Sequence, residues 1–145
     1  GSAIDGPQNT ADMVADGNST VYPSAHFCND LTVGGFNDWY MPAKNEIEVC
    51  YFNLKPTTTS NVTYSGANPN AVPARASNYT AGNPAQTSVA AFQSGGAEAF
   101  TDNDYWQSTE KAASSSWELG FDNGYMGYTS KSSSNLVRAA RREAL

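Results

Sequence analysis

The sequence is poor in charge, in aliphatic residues and in the side chains that do chemistry. Only 15% of its 145 residues are charged, against about 25% in a typical soluble domain. Ile, Leu, Val and Phe together number 21. Such a shortage goes with disorder when net charge is high or aromatics are few. Neither holds, because the formal net charge is −6 and the chain carries 6 Phe, 8 Tyr and 3 Trp. One histidine, His26, and two cysteines, Cys28 and Cys50, leave little material for metal or nucleophilic chemistry. We therefore expect no catalytic residues, no metal ligands, no cofactor and no enzymatic activity. A sequence pI near 4.5 is a poor match for a phosphate backbone, which excludes nucleic acid as the expected partner. No apolar run approaches the roughly 18 residues that span a membrane, so membrane insertion is not expected. The amino terminus lacks the charged and apolar regions of a signal peptide. Gly1-Ser2 reads as a cloning scar, which leaves an upstream targeting sequence or domain open.

What the chain has instead is small polar residues: 14 Asn, 16 Ser, 12 Thr and 12 Gly. Its length suits a single domain over 1–145 with a real core. The first twenty residues are polar and weakly patterned. Val21 to Leu31 reads as a short helix, with Pro23 in its first turn and Ala25, Cys28 and Asn29 on one face. Gly34-Gly35 allows a tight reversal. Pro42 opens a second helix, Ala43 to about Leu54, in which Ile47, Cys50, Tyr51 and Leu54 form one apolar stripe. Glu46 and Glu48 suit its amino-terminal dipole, and Lys55-Pro56 ends it. Residues 56–104 are turn and loop chemistry. So long an irregular stretch is unusual in a compact domain, and short strands or a turn of helix are expected inside it, near Gln86 to Gln93. Further on, Trp117, Leu119 and Phe121 alternate with Glu118, Gly120 and Asp122, the pattern of a half-buried strand. Asn123-Gly124 is a two-residue hairpin signal, and Tyr125 to Ser130 is the returning strand. Leu136 to Arg142 reads as a last strand, with Val137 and Ala139 on one face and Arg138 on the other. Helices followed by an antiparallel sheet make the fold class α+β.

Three stretches together carry a resemblance. They are Gly35 to Pro42 (GFNDWYMP) leading into Lys44-Asn45-Glu46-Ile47, then Tyr105 to Glu110 (YWQSTE), and Trp117 to Arg141, where FDNGYMGYTSK is followed by VRAAR. In order and spacing they resemble the C-type-lectin-like domains at the carboxyl ends of bacterial collagen-like adhesins and in phage tail proteins. The match covers roughly residues 22–142. Met41, Gln107 and the long 56–104 insert depart from the family's usual pattern without threatening the fold. The resemblance implies two helices packed on small antiparallel sheets, with Trp39, Trp106 and Trp117 between them. It also implies an ion pair from Glu110 to Arg138 or Arg141. A narrower resemblance is to the variable proteins of diversity-generating retroelements, such as phage tropism determinants. Those proteins keep this scaffold while adenine-containing codons on the binding face are rewritten. Here family-type positions (Trp106, Ser108, Glu110, Trp117, Phe121, Gly124, Val137, Arg138) interleave with adenine-accessible types across 105–142. The alternative is an ordinary serine-rich surface.

On this reading the domain is a ligand- or receptor-binding module of a viral, virion-surface or extracellular protein. Its partner would be a host or environmental surface receptor, protein or glycan, and oligomers are allowed. Tyrosine and serine supply rigid amphipathic area and adaptable hydrogen bonds. The candidate ligand-binding residues are Gln107, Ser114, Ser115, Glu118, Gly120, Asp122, Tyr125, Met126, Tyr128, Ser132 and Asn135. Strand parity makes Glu118, Gly120 and Asp122 the solvent-facing set, and places at least one of Tyr125 and Tyr128 in the core. A structural tail-fibre or adhesin module that oligomerises is the second reading. A formylglycine-generating-type oxidase is the third, weakened because no cysteine follows Cys50. Asp102, Asn103 and Asp104 are oxygen-rich in the manner of calcium ligands, with a solvated turn as the commoner role. Cys28 and Cys50 are either buried free thiols or a bond between adjacent helices. His26 and Cys28, two apart, do not share a helix face. Asn18, Asn61 and Asn78 begin glycosylation-type triplets that arise by chance in so Asn- and Thr-rich a chain.

Overall fold

The computed structural model of the chain describes residues 1–143; Ala144 and Leu145 of the expected single domain lie outside the described residues. Three helices come first: α1 (Gly6–Asp16), α2 (Pro23–Asn29) and α3 (Lys44–Leu54). Three strands follow the long insert: β1 (Asp104–Ala112), β2 (Ser115–Gly120) and β3 (Met126–Ser130). They form one antiparallel sheet in the order β1-β2-β3. The class is α+β, as expected.

Helix α1 was not foreseen, because it has no apolar stripe. It docks through polar groups. Asp5 caps it by accepting the Gln8 N–H at 3.3 Å, and Pro7 sits in the first turn, where no N–H is needed. Buried Thr10 Oγ1 accepts the Met41 N–H at 3.0 Å, and buried Asn9 donates to Ser108 Oγ at 3.1 Å. Gly6 lies so close to the Tyr40 ring that a Cβ there would meet it at 2.7 Å. Helices α2 and α3 stand where the sequence put them, each trimmed at its ends. Ile47 and Tyr51 are buried, with Cys50 and Leu54 packed beside them. Glu46 does serve the amino terminus of α3, accepting the Ala43 N–H at 2.8 Å and the Gly6 N–H at 3.1 Å. Glu48 turns inward instead.

Two cores lie on opposite faces of β1. Tyr105 points into the first, with Ile47, Tyr51, Tyr79, Phe100, Leu119 and Phe121. Aromatic rings fill it where aliphatics are scarce: Phe100 stacks on Phe121 with centroids 3.9 Å apart, and Tyr51 meets Phe121 edge-on at 5.4 Å. Trp106 points into the second, with Cys28 and Met41, backed by Met13, Val137 and Ala139. The expectation of three core tryptophans is thus corrected. Trp39 and Trp117 are only half-buried, and tyrosine and phenylalanine do their work.

The insert has no strand of its own among the described residues, only a 3-10 turn at Ala90–Phe92. Its order comes from anchors. Buried Glu48 accepts from Tyr79 Oη at 2.7 Å and from Asn68 Nδ2 at 2.6 Å, and it pairs with Arg75. Tyr51 Oη donates to Asn61 at 2.7 Å. The Lys55 ammonium, itself buried, donates to the carbonyls of Thr59 and Pro84.

Three further expectations change at the carboxyl end. The β2–β3 connection is longer than a two-residue turn. β2 stops at Gly120, Phe121 plunges into the core, and Gly124 takes a φ of +75° before Met126 resumes pairing with Leu119. Leu136 to Arg142 makes no ladder, because its hydrogen bonds are split between partners. Leu136 bridges β1 at Tyr105, and Ala140 bridges Tyr40 in both directions at 2.9 Å. The alternation itself holds, with Val137 and Ala139 packed inward and Arg138 pairing outward with Glu98. Glu110 pairs with Lys131, from the loop after β3, while Arg141 takes Asp38 and Arg142 takes Glu46. Helices packed on a small antiparallel sheet are the arrangement that the C-type-lectin-like resemblance implies.

Candidate functional site

The β1–β2 turn, the strands β2 and β3 and the loop after β3 project beyond α3 and carry most of the exposed candidates. Ser114 and Ser132 are exposed, and Ser115 is half-buried at the start of β2. The Ser114 carbonyl accepts the Lys131 N–H at 3.0 Å, tying the two loops together. Tyr128 is 57% exposed and Tyr125 is 41% exposed. Neither is core, which corrects the parity argument. Tyr125 lies outside the strand, edge-on to the exposed Tyr64 at 6.1 Å. Tyr128 stands on the inner face of β3, but past the point where α3 covers that face.

Five candidates are not surface groups. Gln107 is 1% exposed and donates to Met126 Sδ at 2.9 Å. Met126 itself packs against the first core. Glu118 is 9% exposed and accepts from Asn135 Nδ2 at 2.6 Å, so Asn135 acts as its partner and is half-buried. Gly120 is buried, and a Cβ there would meet Asp122 Oδ1 at 2.6 Å and Asp104 Oδ1 at 3.1 Å. The supposed solvent face of β2 is the face Trp106 shares: Glu118 stands opposite Trp106, which points into the second core, and Asn135 caps the Glu118 carboxylate. Asp122 remains half-buried at the rim, beside Asp104. Burial, and then the neighbouring Asp122, push the Asp104 carboxyl up. Burial likewise raises Glu118, against the Asn135 hydrogen bond. Among the described residues no three His, Cys, Asp or Glu side chains are grouped to hold a metal ion.

One cluster was missed in the sequence. Trp117 meets Tyr128 edge-on at 5.8 Å, as cross-strand partners. The Lys44 ammonium, from the first residue of α3, sits over the Trp117 ring at 3.5 Å, and Lys111 lies 5.3 Å from both rings. Desolvation and then Lys111 lower the Lys44 ammonium below its usual range. Nothing local signals this grouping, since Lys44 and Lys111 come from opposite halves of the chain.

The other reactive groups are dispersed. Cys28 belongs to the second core and Cys50 to the flank of the first, both free. Burial pushes the thiols up to about 12 and about 11. His26 is bonded to the Gly17 carbonyl at 2.8 Å. The apolar cleft over Trp106, Met41, Met13 and Pro23 holds only about 110 Å³, short of the ~300 Å³ at which ordinary small-molecule sites begin. A wider, polar cleft of about 530 Å³ is lined by Asn9, Asp12, Asp16, Tyr22, Ser108 and Glu110.

Compared with known proteins, residues 7–141 match the family model described as Lcl C-terminal domain. No curated protein and no solved structure matches the chain.

Proposed function

The chain belongs to the Lcl C-terminal domain family, and from that premise we propose that it is a receptor-recognition domain with a sequence-diversified face, displayed on a virion or another extracellular surface. One observation carries the reading. Of the adenine-accessible types, Ser114, Tyr125, Tyr128 and Ser132 to Ser134 are exposed, Ser115, Asp122 and Asn135 are half-buried and Ser116 is buried, while the family-type positions Trp106, Ser108, Phe121 and Gly124 are buried and Glu110 is exposed. A surface of tyrosine and serine on a stiff frame is the composition of adaptable protein paratopes. The frame is closed independently of that surface, by the Tyr40–Ala140 bridge and the Arg141–Asp38 and Arg142–Glu46 pairs. The separation of two poorly acidic thiols supports binding over thiol oxidation.

The test is a combinatorial library at Ser114, Tyr125, Tyr128 and Ser132, displayed on yeast and selected against a model protein such as lysozyme. Folded binders are the expected result. A library dominated by unfolded clones would refute the reading. The neighbouring DNA is an independent check: a reverse-transcriptase gene with a near-copy of the codons for 104–142, differing at adenines, is expected.

The second reading, an oligomerising module, draws on four large apolar side chains left exposed within one stretch of sequence, Val21, Phe27, Val33 and Phe36. Sedimentation of the domain as a monomer at micromolar concentration would remove it.

A further inference from the structure

We propose that Lys44 and Lys111, held on the Trp117–Tyr128 pair, form a subsite for an acidic segment of a protein receptor. This deepens the recognition reading above and rests on it. The argument starts from charge. The 14 carboxylates outnumber the 8 Lys and Arg residues. Arg75, Lys131, Arg138, Arg141 and Arg142 all find carboxylates, and Lys55 spends its ammonium on buried carbonyls. Among the described residues the Lys44 and Lys111 ammonium groups pair with neither a carboxylate nor a carbonyl, and they share the Trp117 ring, with Lys111 also near Tyr128. Two ammonium groups brought together repel each other, and Glu110, the carboxylate next to Lys111 in the chain, is taken by Lys131. An incoming anion relieves it, and the surrounding rings lower the local dielectric, so the attraction is stronger than at an open surface.

The geometry also selects the source of the anion. A pyranose ring binds tryptophan by lying on its open face. Here Lys44 sits over Trp117 at 3.5 Å and Tyr128 takes its edge, so no clear stacking platform is left. What remains is a pair of cations beside tyrosine and serine hydroxyls. That combination fits Asp or Glu side chains and the polar backbone of a protein loop.

The probe is a ten-residue oligoglutamate, titrated at low salt and followed by tryptophan fluorescence and by calorimetry. Saturable binding is expected, weakening with added salt. The double variant Lys44→Gln with Lys111→Gln should weaken it about tenfold, on the scale of two exposed ion pairs. Lys131→Gln, whose lysine already has a carboxylate, should not weaken it. No saturable binding, or equal binding by the double variant, would overturn the proposal. So would tighter binding of dextran sulfate than of oligoglutamate, which would assign the subsite to a sulfated polysaccharide. The library experiment leaves both lysines intact. Binders from the library with no oligoglutamate response would sink only this subsite. Unfolded libraries would sink the recognition reading whatever the lysines do.

Discussion

At the scale of single residues, the domain depends on close approaches and on buried polar partners. Gly124 has a φ of +75°, and a Cβ there would meet the Tyr51 ring at 2.5 Å. Gly124→Ala is expected to cost about 2–4 kcal/mol, from left-handed backbone strain plus overpacking; urea denaturation measures it. Glu118 gives a pH prediction. Its carboxyl is raised by burial, above the ~4.3 of an unfolded chain. The stability tied to its protonation is therefore present below that value and lost as pH rises through the folded pKa. Glu118→Gln keeps a neutral group on Asn135 at every pH. The variant should gain on the parent as pH rises from about 4 to about 7. An unchanging gap between their denaturation midpoints would contradict this. Some of this scale was legible beforehand: Ile47, Tyr51, Leu119 and Phe121 were identified as inward-facing from periodicity alone. Glu118 and Gly120 were misplaced because strand parity says which residues share a face, not which face is covered.

At the scale of elements, hydrophobic period found what hydrophobic burial holds. Helix α3 and strand β2 have apolar stripes and were readable. Helix α1 is held by Asn9, Thr10 and the Glu46 carboxylate, groups whose partners lie far away in sequence, and it left no pattern. Asn9→Ala removes the donor to Ser108 and the acceptor of the Ser2 N–H. It should cost about 1–3 kcal/mol. Hydrogen exchange should show α1 amides opening ahead of those of α3 and the sheet, as a locally unstable unit. Uniform acceleration across the domain would argue against local docking. The carboxyl segment shows the converse. Its alternation was correct, but a ladder needs one continuous partner strand, and residues 136–140 have two.

At the scale of the molecule, an aromatic core and a smaller mixed core around Trp106 are closed by a carboxyl segment that returns to the amino-terminal half. On the proposed reading, that separation is what would let the outer end of the sheet vary without unravelling the fold. Trp106→Ala, which empties the second core, should cost about 3–5 kcal/mol. Trp117→Ala should cost no more than about 1–2 kcal/mol, the scale of a half-exposed aromatic and its cation contacts. Thermal melts of the two variants compare them directly, and equal losses would place Trp117 in the frame rather than on the binding face. The sequence by itself determined the fold class, the helices α2 and α3 and the paired strands β2 and β3. Those follow from period, turn chemistry and motif order, which are local properties. Only the tertiary structure decided which tryptophan is core, which tyrosines are free, what each arginine pairs with and where the two lysines meet. Those depend on where one element stops covering another, a distance set by packing across the whole chain and written in no single stretch of it.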